Sequence, residues 1–333
     1  MTNYKLMNFR KLIITSFVCL ASFACKKEEE GTVMPSLDGY LTIKGLPEFV
    51  APNSSIELSP DGAIHPDGKE LGYYWKLSPT KPAACTTKVY TAEFSDTLQT
   101  CLVYCYAYAT GYSGMSASSY VSVVKSGKDG SIQGIDYPAD YVTGENSTYY
   151  YKQIGSQTWT INNIAEKRGG KAYKNAEIMS DILGRYYSYE QAKAVCESLS
   201  TANQTWALPS LDDWKALESH VNATLASDSN AGKSLAAALM ADATFNTVTM
   251  WKYRPKVGDI TNSSGFSALP TGYTNLKTSA FMGIYEYATF WTSTETDNPD
   301  EAYSVYLYFE EPGLFTRKAD KESFGASVRC ILK

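Results

Sequence analysis

The sequence predicts two regions of different class, an antiparallel β-sandwich followed by an α+β domain. Three patterns carry that expectation. Residues 39–124 break into short runs rich in Tyr, Val and Ile, separated by turn-forming Pro, Asp and Gly. Residues 188–199 and 210–221 each carry a helix-start signal followed by an apolar face at helical spacing. Residues 303–309 and 326–332 alternate apolar and polar, as half-buried strands do. Between the two regions, 125–146 mixes Ser, Gly, Asp and Pro with little periodicity and reads as a linker.

The chain opens with Lys5, Arg10 and Lys11 ahead of an apolar stretch from Leu12 to Ala24. That stretch is shorter than the ~20 residues a spanning helix needs, so it reads as a secretory leader. Cys25 follows at once, and after it the charged run Lys26-Lys27-Glu28-Glu29-Glu30. Translation from Met1 or from Met7 gives the same downstream chain. The arrangement resembles a bacterial lipoprotein signal of Bacteroidetes type. The resemblance implies acylation of Cys25, residues 1–24 as signal peptide and 25–38 as an acidic tether. A Lys followed by acidic residues is similar to the Bacteroidetes signal for export to the outer face, which implies an outer-membrane lipoprotein exposed on the cell surface. Two or more acyl chains, at ~0.8 kcal/mol per buried CH₂, make a stable anchor.

Removing 1–24 takes away three basic residues and no acidic ones, leaving 27 against 35 and a net charge of −8. An acidic chain with no basic stripe does not suit nucleic acid, whose binding rests on phosphate neutralisation. His65 precedes a Pro in a turn and His220 ends a helical pattern, so the two histidines of the chain suggest neither a zinc site nor a Ser-His-Asp triad. No CxxC occurs. Of seven cysteines, Cys85, Cys101, Cys105, Cys196 and Cys330 remain after the leader and the anchor, and in an oxidising setting they are disulfide candidates.

The sandwich strands are read at 40–43, 55–58, 73–77, 101–109 and 116–124, with turns at Pro60-Asp61-Gly62 and Pro66-Asp67-Gly68. Trp75 belongs to the core, and the odd positions from Cys101 to Ala107 face inward. Pro-Asp-Gly followed by Leu71, Tyr73 and Trp75 resembles bacterial Ig-like and PKD-type surface domains. On that reading Cys85 pairs with Cys101, with Cys105 as the alternative partner and otherwise a buried free thiol.

From 147 to 333 an ordered series appears: Ile154-Gly155-Ser156-Gln157-Thr158-Trp159, Gly184-Arg185-Tyr186-Tyr187, Trp206-Ala207-Leu208-Pro209-Ser210, Gly265-Phe266-Ser267-Ala268-Leu269-Pro270, Phe290-Trp291-Thr292-Ser293-Thr294-Glu295 and Ser327-Val328-Arg329-Cys330. The series resembles the Fibrobacter succinogenes major paralogous domain, which implies a C-type lectin-like, formylglycine-generating-enzyme-like fold. It also implies a disulfide between Cys196 on the first helix and Cys330 near the end. Ser188 with Gln191 caps a helix whose inner face is Tyr189, Ala192, Val195, Cys196 and Leu199. Ser210 with Asp213 caps a second, with Leu211, Trp214, Leu217 and Val221 inside.

Chemistry is sparsely signalled. Gly232-Lys233-Ser234 lacks the Gly of a phosphate loop at 227. Glu295, Asp297, Asp300 and Glu301 surround a turn that reads as a solvated acidic loop, with oxygen ligation of Ca²⁺ as the sharper alternative. No catalytic residue, metal or cofactor is expected. The expectation is a non-catalytic binding or adhesion protein for an extracellular glycan or surface protein, held to the membrane by its lipid only and of undetermined oligomeric state. The alternatives are a glycan-active enzyme using Glu295 and Asp297, or a structural subunit of a surface assembly. In lectin-like folds the late loops form the exposed face, here 274–300. Trp291 is assigned to the core, which leaves Tyr285 and Tyr287 as the exposed aromatic pair and Asp297 and Asp300 as polar contacts.

Overall fold

The computed structural model describes residues 33–78, 81–228 and 233–333. Cys25, the leader and the run from Lys26 to Glu30 lie outside the described residues. The first region contains β1 (Asp38–Lys44), β2 (Phe49–Val50), β3 (Ser55–Ile64), β4 (Gly72–Ser78), β5 (Lys81–Cys85), β6 (Tyr90–Glu93), β7 (Thr100–Tyr108) and β8 (Met115–Val123). They form two sheets, ordered β1-β3-β6 and β2-β8-β7-β4-β5. Every pairing is antiparallel except β2 with β8. Inward residues of both sheets share one core that includes Leu41, Leu58, Trp75, Val103 and Val121. Period-2 alternation does this directly on β7, where Cys101, Val103, Cys105 and Ala107 are all buried. Trp75 is fully buried, donates its indole N–H to Thr87 O (3.1 Å) and stacks on Tyr90. Burying a ring of this size contributes about 5 kcal/mol gross.

Pro66-Asp67-Gly68 is a turn, closed by Gly68 N–H donating to His65 O (2.9 Å). Pro60-Asp61-Gly62 is not one, because it lies inside β3 and pairs with β1 (Ile43↔Pro60, Thr42↔Asp61). Since β6 covers only Ser55–Leu58, one side of β3 is unpaired beyond that point, and a Pro lacking its N–H is tolerated there. Gly62 has φ +85°, and a Cβ on it would stand 2.2 Å from Tyr40 O. The glycine serves a close bulged pairing, not a reversal.

The Cys85–Cys101 bridge is not formed: Cys85, Cys101 and Cys105 are free thiols. Strands β5 and β7 flank β4 on opposite sides, and Trp75 has Cys85 as register partner on one side and Cys105 on the other. Two strand spacings, roughly 9–10 Å, exceed the ~7 Å Cα reach of a disulfide. Cys105 is buried, and desolvation pushes its thiol up to about 12.

The segment 125–146 is built into sheets. Ile132–Gln133 pairs with Thr244–Phe245, and Tyr141–Thr143 pairs with Thr148–Tyr150. Its apolar residues Ile132 and Val142 are buried, which supplies the reason. A five-stranded antiparallel sheet then runs in the order 141–143, 148–154, 157–160, 331–332 and 206–207, so the two ends of the second region meet in it. Helix Tyr189–Glu197 starts with a capping box of Ser188 and Gln191. Helix Leu211–Ser227 starts with Ser210 and Asp213 and continues about two turns past His220.

The late sheet comprises Tyr287–Glu295, Glu301–Tyr308 and Phe315–Asp320. Ala288, Phe290, Val305 and Leu307 enter one core with Trp159, Trp214 and Phe266. Trp291 and Ala302 enter a second core with Tyr189, Cys196 and Trp206. Phe290 and Trp291 face opposite sides as neighbours on a strand do, a register shift follows between Trp291 and Glu295, and the alternation expected from Tyr303 breaks at Ser304 and Val305, which are both buried. The expected strand 326–332 is a strand only at Ile331–Leu332. Ala326 to Cys330 is buried on both sides because Arg329 is embedded, its guanidinium donating to Thr160 O, Phe266 O, Ser267 O and Asn163 Oδ1. Cys196 and Cys330 are joined, with Cα atoms 5.5 Å apart. Closing a loop of 134 residues contributes about 5 kcal/mol in the loop-entropy account.

Candidate functional site

The structure separates the expected ligand contacts. Tyr287 pairs with Tyr308 at the open end of the late hairpin, whereas Asp297 and Asp300 sit in the turn beyond Glu295 at its other end. Eight strand residues at ~3.4 Å put the two groups roughly 27 Å apart. The acidic turn already has a cation. Lys321 pairs with Glu295 (3.0 Å), its Nζ donates to Pro299 O (2.7 Å), and its backbone N–H donates to Asp300 O (2.9 Å). Lys321 therefore holds the Glu295 carboxyl below the usual carboxylate range. A general acid needs the opposite shift. Among the described residues no group of three or more His, Cys, Asp or Glu is placed to hold a metal ion.

At the open end the late sheet carries a shelf of aromatic rings. Register places Tyr287 beside Tyr308, and Tyr306 beside Phe315. Tyr287 stacks on Tyr308 with centroids 4.5 Å apart, Tyr306 stacks on Phe315 at 5.6 Å, and Tyr273 meets Tyr287 edge-on at 6.0 Å. The Arg317 guanidinium lies 4.4 Å from the Tyr273 ring and 5.6 Å from that of Tyr306, and its Nε donates to Ser304 Oγ. Burial pulls the Arg317 pKa down from its ordinary value. Burial, then a hydrogen bond to Glu310 (3.1 Å), pushes the Tyr308 phenol up to about 12. Tyr285 and Tyr287 are half-buried, which corrects the expectation of an exposed pair, and they belong to different features.

Tyr285 lines a cavity of about 730 Å³ where the two regions meet. Thr100, Tyr120 and Ser122 form the wall from the first region, and Tyr173, Phe245 and Tyr285 face them from the second. The walls are fixed locally. Phe245 pairs with Val248 across a two-residue turn in which Asn246 (φ 44°) and Thr247 (φ 69°) are left-handed, as a twisted hairpin requires. Asn246 Nδ2 then donates to Val123 O (2.9 Å), tying the hairpin to the end of β8. Its Oδ1 is buried without a hydrogen-bond partner. Tyr285 holds φ +67°, with its N–H donating to Pro270 O (2.8 Å). Burial, followed by the neighbouring Tyr285 and Glu48, pushes the Tyr173 phenol up to about 12. Ion pairs Lys174–Glu48 and Lys252–Glu286 close off charge at the rim. Sequence reasoning found Tyr285 but missed this cavity, whose walls come from residues as far apart as Glu48 and Tyr285. The only local signal is the apolar Tyr120 on an outward strand position.

Residues 139–332 match the Fibrobacter succinogenes major domain. Among solved structures, the chain is similar to the adhesin InvE of Yersinia pseudotuberculosis, with 10% identity and a TM-score of 0.23 over 89% of this chain and 70% of that one. No curated protein matches the sequence.

Proposed function

The chain belongs to the Fibrobacter succinogenes major domain family, and from that premise we propose a surface-anchored, non-catalytic protein that binds an extracellular glycan or protein. The tyrosine shelf of Tyr273, Tyr287, Tyr306 and Tyr308 is the observation that carries the reading. Rings with a polar tip bury much area at low entropy cost, which suits recognition. In this proposal residues 1–24 are a signal peptide, Cys25 carries the lipid on the outer membrane, and 25–38 is the tether. Residues 39–124 are an Ig/PKD-like spacer joined by 125–146 to the C-type lectin-like domain 147–333. The enzymatic alternative loses support from Lys321, which keeps Glu295 ionised and paired.

A glycan array and a surface-protein pulldown test the proposal. Saturable binding without turnover is expected, and Tyr287→Ala with Tyr306→Ala should weaken it at least tenfold, about 1.4 kcal/mol. Product release from a bound polysaccharide would replace this reading with an enzymatic one. Unchanged affinity in the folded double variant would move the site off the shelf.

A further inference from the structure

The first region has a recognition surface of its own. Along β4, β7 and β8 the outward positions carry Tyr74, Tyr104, Tyr106, Tyr108 and Tyr120, interleaved with Ser116, Ser118 and Ser122. Tyr108 and Tyr120 are 42% and 58% exposed on the solvent face of this sheet. Two of the rings lie down on the sheet. A Cβ on Gly72 would stand 2.5 Å from the Tyr108 ring, and one on Gly114 would stand 2.3 Å from the Tyr106 hydroxyl. The glycines thus leave room for each ring to fold across a neighbouring strand. Tyr106 and Tyr108 are nearly parallel, 18° apart with centroids at 6.2 Å, and two residues apart on one face they form a level platform. Lys76 is the one charged residue on this face of the three strands.

The platform leads somewhere. Further along the same face come Leu102 with Tyr120, then Thr100 with Ser122, whose hydroxyls lie 3.0 Å apart. Thr100, Tyr120 and Ser122 are also the near wall of the 730 Å³ cavity. From Tyr106 to Thr100 the strand covers about 20 Å. A level aromatic strip flanked by hydroxyls therefore runs into a pocket that Asn246 also lines. The pocket's cations Lys174 and Lys252 are each paired with a carboxylate, so the pocket offers no net charge, and Lys76 is the single charge along the strip.

We infer that this face binds an extended neutral polysaccharide, its sugar rings lying on Tyr106, Tyr108 and Tyr120 and its terminal residue entering the cavity. Pyranose rings present an apolar face to aromatics and hydroxyl edges to Ser, Thr and Asn, which is the sequence of groups met along the strip. Such a chain would turn the first region from a spacer into a binding module, independent of the tyrosine shelf.

The test is affinity electrophoresis and calorimetry of the full-length protein with soluble β-glucan, xylan, mannan and amylose. Polygalacturonate and gelatin serve as charged and protein probes. Binding to at least one neutral polymer is expected, with affinity rising through the oligosaccharide series as the strip fills. Tyr104→Ala with Tyr120→Ala, which spares the two rings lying on glycines, should weaken it tenfold or more without changing thermal unfolding. Should the pair fail to fold, Tyr120→Ala alone reads the same loss at an exposed site. Binding of none of the neutral polymers, or of polygalacturonate or gelatin alone, would overturn the inference. So would a single sugar binding as tightly as the polymer. Loss with Tyr287→Ala and Tyr306→Ala, but none with the Tyr104 and Tyr120 changes, would overturn it while leaving the shelf as the site.

Discussion

Asp213 performs two tasks with one carboxylate, and its titration is open to measurement. It accepts from the Ser210 backbone N–H (2.7 Å) at the start of helix Leu211–Ser227, and it pairs with Lys333 (2.7 Å). Burial pushes its pKa up, but Lys333 and Ser210 outweigh that and leave it below the usual carboxylate value. A depressed folded pKa gives stability that is complete above the unfolded value near 3.9 and is lost as pH falls through the folded one. Asp213→Asn should therefore cost about 1 kcal/mol in urea unfolding at pH 7, by loss of the charged cap and the ion pair. The gap from wild type should close as pH is lowered below ~4. A gap constant from pH 7 to pH 3 would place the effect in packing. Residues of this kind were legible, because a cap, a helical stripe and an inward Trp are set by local spacing. Trp214, Cys196 and Val221 follow from the 3.6-residue period alone. Tyr285 was not placed correctly, since its environment comes from Thr100, Phe245 and Tyr173, which no local pattern connects.

At the level of elements, the same tripeptide does different work at two places. Gly68 closes a turn at φ +72° with open space around its Cβ position, whereas Gly62 sits at φ +85° against Tyr40 O. Gly68→Ala should cost about 1 kcal/mol, the strain of a left-handed alanine. Gly62→Ala should cost clearly more, roughly 2–3 kcal/mol, because β1 must also move away. Paired denaturant curves decide it, and equal losses would mean that the β1–β3 pairing yields freely. The composition Pro-Asp-Gly could not separate the two cases, since a bulge and a turn demand the same left-handed residue. Sheet order likewise exceeded the sequence. Alternation marked β4 and β7 as half-buried strands, but only their order relative to β5 shows that β4 stands between Cys85 and Cys101. The last strand misled for a related reason. Arg329 reads as an outward residue in an alternating run, yet three carbonyls and Asn163 surround its guanidinium inside the domain.

For the whole molecule, the two regions share packing, and this bears on how a tethered binder would work. One apolar cluster contains Val124 and Ile132 beside Met179, Leu183, Ala243 and Met250, with Phe49 and Tyr285 at its margin. A ligand spanning strip and cavity would thus meet one continuous body carried on whatever holds its N-terminus. Asp38, where β1 begins, stands 13 residues after Cys25, a distance that an extended chain spans in at most about 45 Å. That reach suits presentation just clear of a membrane surface, and it makes the anchor the variable to test. A fatty-acid analogue fed to cells expressing the protein should label the wild type and not Cys25→Ala, with the variant released to the medium or the soluble fraction. Replacing Glu28, Glu29 and Glu30 with Ala should keep the label, because the thiol is untouched, and reduce cleavage by protease added to intact cells. Equal labelling of wild type and Cys25→Ala would remove the lipid from the account, and unchanged protease access in the triple variant would remove the acidic run from export.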